Sequence, residues 1–339
     1  MAAEEERGGA RRRGPLFSAA DSEDSSVGFP PRSIVPSDAV MADARTGVGE
    51  NSAAGDDGGE AVYHNDNDDY YERDAPYTEW LKWYRQMEYP RYHHPDVTVD
   101  CVILTADKSL LRGKDRSRAA ESLKILVVDR WTHPFKGSMA LPGTFMRPDD
   151  ADAQSVILRM LRQRFDFDVN SALEDETGKA YVPGNGPLDS GSMHIRQLQT
   201  FTGSRRDPRG QVVSIAHLVY LSQGLSCIPE TDGVHWEPLL DMAEQEMAFD
   251  HQSIVLTAIS RLRSQFAWLP QVFWTLPTPF TVTDALKLRA SLFDEDYKAI
   301  NRKNFKRKYQ AVWEDDHVEI NPITKMPVDF YRYEGAVFQ

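Results

Sequence analysis

Residues 141–167 read LPGTFMRPDDADAQSVILRMLRQRFDF, and this stretch decides the fold that the sequence predicts. Its Pro-Gly pair marks a tight turn, and an acidic loop follows the turn. From residue 153 onwards the apolar residues recur every three or four positions, which is the spacing of one helix face. The stretch therefore predicts a turn, a loop and an amphipathic helix, and the flanking segments predict what surrounds them.

Strand patterns flank this helix on both sides. Five segments have the alternation or the β-branched composition of strands: 97–107, 122–131, 195–202, 211–222 and 233–239. Two further segments, 77–88 and 250–266, have helical spacing, and we interpret 108–121 and 176–194 as connecting loops. Because strands outnumber helices in the order β-β-α-β-β-β-α, the pattern favours an α+β sandwich over a doubly wound sheet.

The N-terminal 75 residues differ from the rest of the chain. They hold 7 basic and 17 acidic residues, so their net charge of −10 accounts for most of the −13 of the whole chain. Such a segment buries too little apolar surface to offset its ordering entropy, and we predict that residues 1–75 form a disordered acidic tail.

Cys101 and Cys227 are too few for a disulfide framework or a zinc cluster. No run approaches the about 20 apolar residues of a membrane span, so we expect a cytoplasmic protein without a membrane partner.

The character of the chain changes again after Pro270. Residues 280–296 (FTVTDALKLRASLFDED) predict a helix with Thr283 as its N-cap, and residues 301–313 (NRKNFKRKYQAVW) predict a second helix. Residues 317–333 have the pattern of a β-hairpin around an Asn-Pro turn. A helix, a helix and a hairpin within about 60 residues are the signature of a winged helix-turn-helix.

The second of these helices is basic on one face. Phe305, Tyr309 and Val312 form its apolar stripe, while five cations lie between residues 302 and 308. The clustering is local, because residues 270–339 hold 10 basic and 10 acidic residues. Cations neutralise DNA phosphates, and Asn, Gln and Arg side chains read base edges in the major groove. A basic face can also be merely solvated, but a position between a helix and a hairpin favours DNA binding.

Residues 129–150, DRWTHPFKGSMALPGTFMRPDD, resemble the beginning of the Nudix fold. In that family a helix with three glutamates follows and holds Mg²⁺ against a pyrophosphate. The corresponding positions here are Met160, Gln163 and Arg164, and the predicted helix at 153–165 contains no Asp or Glu in any register. Since magnesium requires hard, anionic oxygen ligands, the resemblance implies a Nudix domain that is not an enzyme and holds no metal.

Two features near this helix leave alternatives open. Asp149, Asp150 and Asp152 precede it and could coordinate a metal ion, although an acidic loop is more often a helix cap or a solvated turn. Metal binding there would make the protein an active hydrolase of the ADP-ribose pyrophosphatase type. Arg164 could pair directly with a bound diphosphate in place of a metal, or it could be an exposed helix arginine.

A degenerate Nudix domain followed by a winged helix is similar to the Nudix-related transcriptional regulators of bacteria, the NrtR type. The similarity rests on motifs of which the last four are specific to the regulators: EWLKWY, VTVDCVIL, HPFKGSMALPGTF, RDPRGQVVSIAHLVYL, AFDHQSI, LPTPFTVTDALKL, NRKNFKRKY and MPVDFYR. It implies an effector-binding domain at 76–266 and a DNA-binding domain at 267–339. It also implies a homodimer that binds a DNA operator, usually as a repressor, and that senses ADP-ribose or a related NAD-derived or sugar metabolite.

The similarity implies roles for individual residues as well. The expected DNA contacts lie in the second helix, at the start of the first helix and in the wing: Thr281, Thr283, Asn301, Arg302, Lys303, Asn304, Lys306, Arg307, Lys308 and Lys325. The effector pocket is expected to be lined or bordered by Arg130, Phe145, Arg147, Arg164, Asp207 and Arg209. No cofactor is expected. The chain reads KMPV at 325–328 where the family's wing tends to read GRPA, and Thr144 replaces a family glycine, so operator and effector are the least defined expectations.

Overall fold

The computed structural model describes residues 70–71, 73–91, 94–113, 117–168, 189–190, 193–222 and 224–333, all within one compact unit, Asn67–Gln339. The tail predicted to be disordered lies outside the described residues up to residue 69, as does most of the predicted loop at 176–194. At the end of that tail, Tyr70 and Tyr71 are helical rather than disordered, and the Tyr71 ring stacks on Trp83 with centroids 5.3 Å apart. None of the helices in the described part of the chain combines the length and the apolar character required to cross a bilayer.

A mixed eight-stranded sheet forms the centre of the unit. Its strands are β1 Asp96–Ala106, β2 Leu123–Asp129, β3 Met139–Ala140, β4 Gly143–Phe145, β5 Asp189–Ser190, β6 Met193–Phe201, β7 Val212–Leu221 and β8 Val234–Pro238. The strand order is β3-β2-β1-β7-β6-β5, with β4 also paired to β1 and β8 to β2. Only β1 and β7 run parallel among these described pairs. The five predicted strands are confirmed within two residues at each end, and β3, β4 and β5 are additions.

Among the described residues of this part of the chain, six α-helices can be given bounds after Tyr71: α1 Tyr77–Trp83, α2 Lys108–Arg112, α3 Ala153–Phe165, α4 Gly224–Cys227, α5 Asp241–Glu244 and α6 His251–Gln265. The predicted helix at 77–88 is confirmed, but it widens into a π-helical turn at Tyr84–Glu88. The prediction that 108–121 is a plain loop was wrong. Asp107 accepts hydrogen bonds from the backbone of Ser109 and Leu110 and thereby caps α2, and a 3₁₀ turn follows at Ser117–Glu121.

Helices α3 and α6 cover opposite faces of the sheet, so the predicted sandwich is confirmed. Alternate side chains of β1 lie on opposite faces of the sheet: Val102 and Leu104 pack in the core beneath α6, whereas Cys101 and Ile103 pack in the core beneath α3. Successive side chains of a strand point to opposite faces, and a strand that is apolar at both sets of positions must be covered on both. This packing explains why nine consecutive residues of β1 are buried.

The C-terminal part is a winged helix. It contains α7 Val282–Phe293, α8 Arg302–Tyr309, and a three-stranded sheet of β9 Phe280–Thr281, β10 Glu314–Ile320 and β11 Pro327–Arg332 in the order β10-β11-β9. The predicted two helices and hairpin are therefore confirmed. The predicted N-cap of α7 was wrong: Thr281, not Thr283, caps the helix, because its hydroxyl and the Asp284 carboxylate each accept a hydrogen bond from the other's backbone N–H.

One hydrophobic core continues from the sandwich into the winged helix. Leu104 of β1 and Ile254 of α6 belong to the same buried cluster as Phe305 and Tyr309 of α8. The Tyr309 hydroxyl also donates a hydrogen bond to the Phe266 carbonyl, 3.1 Å away. The apolar stripe predicted for α8 thus faces the rest of the protein. The proposed division between residues 266 and 267 stays a prediction, since the core does not break there.

Candidate functional site

A pocket of about 230 Å³ lies where β1, the β3–β4 turn, α3 and the segment before α6 meet. Five of the six residues predicted for the effector site line it: Arg130, Phe145, Arg164, Asp207 and Arg209. Arg147 does not line it. Its backbone N–H donates a hydrogen bond to Asp150 Oδ2 instead, at 2.7 Å, so Arg147 helps to shape the loop before α3. The sequence analysis missed Asp100, Arg206, Phe249 and His251, which also line the pocket.

Arg206 is a buried structural cation at the base of this pocket. Its Nη2 lies 2.7 Å from Asp250 Oδ1 and 3.3 Å from Asp100 Oδ2, and its Nε lies 3.0 Å from Asp250 Oδ2. Asp100 Oδ2 also accepts a hydrogen bond from the Ser214 hydroxyl, at 2.6 Å across the parallel β1–β7 pair. One guanidinium thus bridges both carboxylates, and these contacts connect three chain segments that are distant in sequence.

Arg209 is also paired, but it faces aromatic rings. Its Nη2 and Nε donate to the Asp207 carboxylate, and its Cζ lies 5.0 Å from the centroid of the Phe145 ring and 5.6 Å from that of Phe249. Burial raises the pKa of Asp207, but the hydrogen bonds from Arg209 outweigh it and leave that pKa below its usual value. The pair is therefore ionised at neutral pH and forms one wall of the pocket.

Arg130 and Arg164 differ from the other two arginines. Among the described residues, neither forms an ion pair with a carboxylate. Arg130 donates from Nε to the Pro134 carbonyl at 2.7 Å and lies 4.7 Å from the centroid of the Phe249 ring. Desolvation and the nearby Arg209 guanidinium lower the pKa of Arg130, and desolvation and Arg130 lower the pKa of Arg164. The pocket therefore holds two cations without a carboxylate partner among the described residues, and the charge of Arg130 disfavours that of Arg164.

His251 and Gly143 both make close contacts at the floor of the pocket. The Leu141 backbone N–H donates to His251 Nδ1 at 2.9 Å, and burial lowers the pKa of this imidazole, so it is neutral at pH 7. A Cβ on Gly143 would lie 2.1 Å from Asp100 Oδ1. The glycine of the predicted Pro-Gly turn is thus required by the close approach of a buried carboxylate rather than by the turn itself.

The acidic loop before α3 is engaged in structural contacts. Asp150 accepts two hydrogen bonds from Arg159, at 2.8 and 2.7 Å, and Asp152 accepts one from the Ser155 backbone N–H and caps α3. Asp149 is exposed. Within the described ranges, no group of three or more His, Cys, Asp or Glu side chains is arranged to hold a metal ion. The interpretation of the loop as a cap and turn agrees with these contacts.

Helix α3 corresponds to the helix that carries the metal ligands in Nudix hydrolases, and its residues at the three ligand positions differ in burial. Met160 is buried in the core beneath the sheet, whereas Gln163 and Arg164 are exposed. Met160 therefore serves packing, and Arg164 is the only one of the three that lines the pocket.

The basic face of α8 is exposed, but its cations are not equivalent. Arg302, Lys303, Arg307 and Lys308 are exposed, whereas Lys306 is half-buried and its Nζ lies 2.8 Å from Asp329 of the wing. The hydrogen bonds that Lys306 donates to Asp329 and Tyr331 raise the pKa of its ammonium group. This lysine therefore ties the helix to the wing.

The polar residues around α8 have structural partners as well. Asn301 caps the helix by accepting from the Asn304 backbone N–H, and Asn304 Oδ1 in turn accepts from Arg307, at 3.3 Å. Thr283 accepts from Arg302 Nη1 at 2.6 Å, and Thr281 is the cap of α7. Lys325 lies exposed in the wing turn with a positive φ of 60°. Of the residues predicted to contact DNA, those of α8 other than Lys306 are exposed, as is Lys325, whereas Thr281, Thr283 and Lys306 are half-buried.

No model of a known protein family matches the chain. Two characterised proteins are similar to it in sequence. The "ADPR responsive transcriptional repressor NtrR" of Acinetobacter baylyi is 23% identical over 259 residues, which cover 75% of this chain and 87% of the relative. The "ADP-ribose pyrophosphatase" of Methanocaldococcus jannaschii is 27% identical over 169 residues, which cover 50% of this chain and 75% of the relative.

Two solved structures share the fold. A MutT/nudix family protein from Enterococcus faecalis superposes with a TM-score of 0.59 at 26% identity, over 79% of this chain and 97% of that one. Shewanella oneidensis NrtR superposes with a TM-score of 0.52 at 25% identity, over 70% of this chain and 93% of that one. Both matches extend beyond the sandwich, because the sandwich alone is too short to account for the covered fractions.

Proposed function

We propose that this protein, whose fold is that of the Nudix-related regulators of the NrtR type, is a ligand-responsive, DNA-binding transcriptional repressor. The observation that carries the proposal is the continuous core that joins a winged helix with an exposed basic face to a domain with an arginine-rich pocket. Such an arrangement allows a small molecule bound in one part to alter the DNA affinity of the other.

The winged helix would bind DNA through α8. Its apolar stripe is buried against the core, so the opposite face, with Arg302, Lys303, Arg307 and Lys308, is the one that can enter a major groove. In the chain as a whole, acidic residues outnumber basic ones, so this local cluster is where DNA phosphates would be attracted. We further propose that the protein acts in the cytoplasm as a homodimer on a two-fold symmetric operator.

The pocket would bind ADP-ribose or a related NAD-derived or sugar metabolite. Four guanidiniums stand against three carboxylates there, Asp100 and Asp207 in the lining and Asp250 behind Arg206, and this excess of positive charge favours an anionic ligand. The rings of Phe145 and Phe249 add apolar walls beside the cations. The similarity to an ADPR-responsive repressor supports this ligand class.

The protein would recognise its ligand without hydrolysing it. Metal-dependent cleavage of a diphosphate needs anionic oxygen ligands for Mg²⁺, and the helix offers Met160, Gln163 and Arg164 at those positions. The loop carboxylates of Asp150 and Asp152 already hold Arg159 and the end of α3. An active pyrophosphatase is the second candidate, favoured by the similarity to the Methanocaldococcus enzyme.

DNA binding is tested by selecting duplexes from a random library with the full-length protein and titrating them at two salt concentrations. Binding that is sequence-selective and weakens steeply with salt is expected. A variant with Arg302, Lys303, Arg307 and Lys308 replaced by Ala should lose it, while Arg162→Ala, on α3, should not. If no duplex is enriched over the quadruple variant, the proposal is wrong.

Hydrolysis is tested on the same preparation. ADP-ribose is incubated with the protein and Mg²⁺, and AMP formation is followed by chromatography. We expect no product above the level of a mock purification. Turnover that is lost in Asp149→Ala would instead support the second candidate and an unusual metal site in the loop.

A further inference from the structure

We propose that Arg130 and Arg164 form a metal-free clamp for the diphosphate group of the effector. This inference rests on the proposed function of the pocket and specifies how it recognises its ligand. In this assignment Arg164 supplies a positive charge from the helix position at which the hydrolases place a metal-binding carboxylate. The ligand class is a nucleoside diphosphate ester rather than a free sugar.

The first support is the distribution of counter-ions around the pocket. Arg206 is neutralised by Asp100 and Asp250, and Arg209 by Asp207. Arg130 and Arg164 line the same cavity without an ion pair among the described residues. Arg130 is only half exposed and Arg164 faces the pocket from the exposed surface of α3, so an anion bound between them would supply the counter-ion that the described residues do not.

The second support is the hydrogen-bonding capacity that these side chains retain. Arg130 uses only Nε within the described structure, toward the Pro134 carbonyl, and its Cζ lies over the Phe249 ring, 4.7 Å from the centroid. Its terminal nitrogens remain available to a ligand. Arg164 makes no hydrogen bond within the described ranges, and its Cζ lies 5.9 Å from the Phe165 ring centroid. Guanidinium groups that keep N–H donors available in this way can bind the paired oxygens of a diphosphate.

The third support is electrostatic. Burial lowers the pKa of Arg164, and the nearby positive charge of Arg130 lowers it further. A diphosphate diester carries one negative charge on each phosphate and would remove this repulsion on binding. Mg²⁺ at the same place would add to it. The site therefore gains from a bare diphosphate and is opposed to a magnesium complex of one.

The test compares binding of ADP-ribose, inorganic pyrophosphate and ribose to the full-length protein by calorimetry, with Mg²⁺ or with EDTA. We expect the dissociation constant for ADP-ribose to change less than about twofold between the two buffers. Arg164→Ala and Arg130→Ala should each weaken ADP-ribose about 10- to 100-fold, the range for a hydrogen bond to a charged group. Arg164→Lys should recover part of the loss, and the exposed neighbour Arg162→Ala should bind as the wild type does.

Two outcomes overturn the clamp. One is an ADP-ribose affinity that falls more than tenfold when Mg²⁺ is removed, because a metal would then bridge protein and ligand. The other is wild-type affinity in Arg164→Ala, with thermal unfolding showing that the variant is folded. If the wild type does not bind ADP-ribose at all, the proposed effector class is wrong. In that case the binding of pyrophosphate tests the clamp separately. Pyrophosphate binding that Arg164→Ala abolishes would support it, and no pyrophosphate binding at millimolar concentration would refute it.

Discussion

Arg112, at the end of α2, places its Nε 3.4 Å from Oδ2 of Asp284 in the first turn of α7. Its Nη2 also donates to the Pro279 carbonyl at 2.8 Å. The buried Lys287 strengthens the same contact by donating to the carbonyls of Leu110 and Leu111 at the C-terminal end of α2. Since α2 follows β1 directly, and β1 carries Asp100 at the pocket, polar contacts as well as the shared core fasten the winged helix to the sandwich.

Replacing Asp284 should destabilise the protein. Asp284→Ala removes both the capping box of α7 and the ion pair with Arg112, and we expect the free energy of unfolding to fall by about 1–3 kcal/mol. Urea unfolding followed by circular dichroism measures the change. The control is Asp315→Ala on the exposed strand β10, which should stay within about 0.5 kcal/mol of the wild type. Equal stability of the two variants would show that the joint contributes nothing.

The cations of α8 should differ in their effect on DNA binding. From the sequence alone Lys306 and Arg307 are equivalent, but Lys306 is held by Asp329, whereas Arg307 is exposed and, among the described residues, donates a hydrogen bond to Asn304. We expect Arg307→Ala to weaken operator binding by about 1–3 kcal/mol if it touches a base. Lys303→Ala should weaken binding to all DNA sequences about equally. It should also reduce, by about one, the slope of the logarithm of the binding constant against the logarithm of the salt concentration. Fluorescence anisotropy at several salt concentrations distinguishes the two cases.

Lys306→Ala provides the internal comparison for that experiment. Because its ammonium already has a partner in the wing, we expect a smaller loss of DNA affinity than for Arg307→Ala. A larger loss would mean that the Lys306–Asp329 pair opens on the DNA or that the wing's position governs binding. Asp329→Ala separates these explanations by the sign of its effect: a freed Lys306 should strengthen DNA binding in the first case, whereas a released wing should weaken it in the second.

The long elements of the fold could be predicted from the sequence, and the short ones could not. β1 and α6 are long enough for their apolar residues to repeat with a clear period, two for the strand and 3.6 for the helix, so the sequence predicts which residues face the core. β3 and β4 have two and three residues, too few for any period. The misplaced cap of α7 was avoidable. Thr281 is followed at the third position by Asp284, which is the capping-box pattern, and Thr283 has no such partner.

The site was predictable in its cations but not in their partners. Arg130 and Arg209 were predicted through the family resemblance and Arg164 from its charge at a position where a carboxylate was expected, and all three line the pocket. Asp100 and Arg206 were not, since they are 106 residues apart and meet only because β1 and β7 pair in parallel. The sequence likewise could not show which arginines are neutralised, and the proposed clamp depends on that distinction.

Asp150 should matter for stability. Its side chain and that of Arg159 are largely buried and form a two-bond pair, and the hydrogen bonds from Arg159 lower the pKa of Asp150. Asp150→Ala leaves a buried guanidinium unpaired, and we expect a loss of about 2 kcal/mol in the free energy of unfolding. Asp149→Ala, at the exposed neighbouring position, should change it by less than about 0.5 kcal/mol. The reverse order would indicate that Asp149 has a partner that the structure does not reveal.

The last prediction concerns pH. His251 lies against Asp100, whose Oδ1 is 3.7 Å from its Nε2, and Arg206, Asp250 and Arg130 are the other charged groups around it. Burial lowers the pKa of His251, and the two carboxylates only partly oppose this. The unfolded chain therefore binds a proton below about pH 6.5 that the folded chain does not, so stability falls as the pH decreases from 7 toward 5.

His251→Asn tests the sign of this effect, because an amide oxygen can still accept from the Leu141 N–H but cannot titrate. We expect thermal unfolding of the variant to depend less on pH between 7 and 5 than that of the wild type. His217, whose pKa burial also lowers, acts in the same direction and remains in both proteins. His235 acts in the opposite direction, since its hydrogen bond to Asp129 raises its pKa and contributes stability that is lost as the pH rises. His235→Gln should therefore steepen the pH dependence slightly, and a flatter profile in that variant would contradict the assignment.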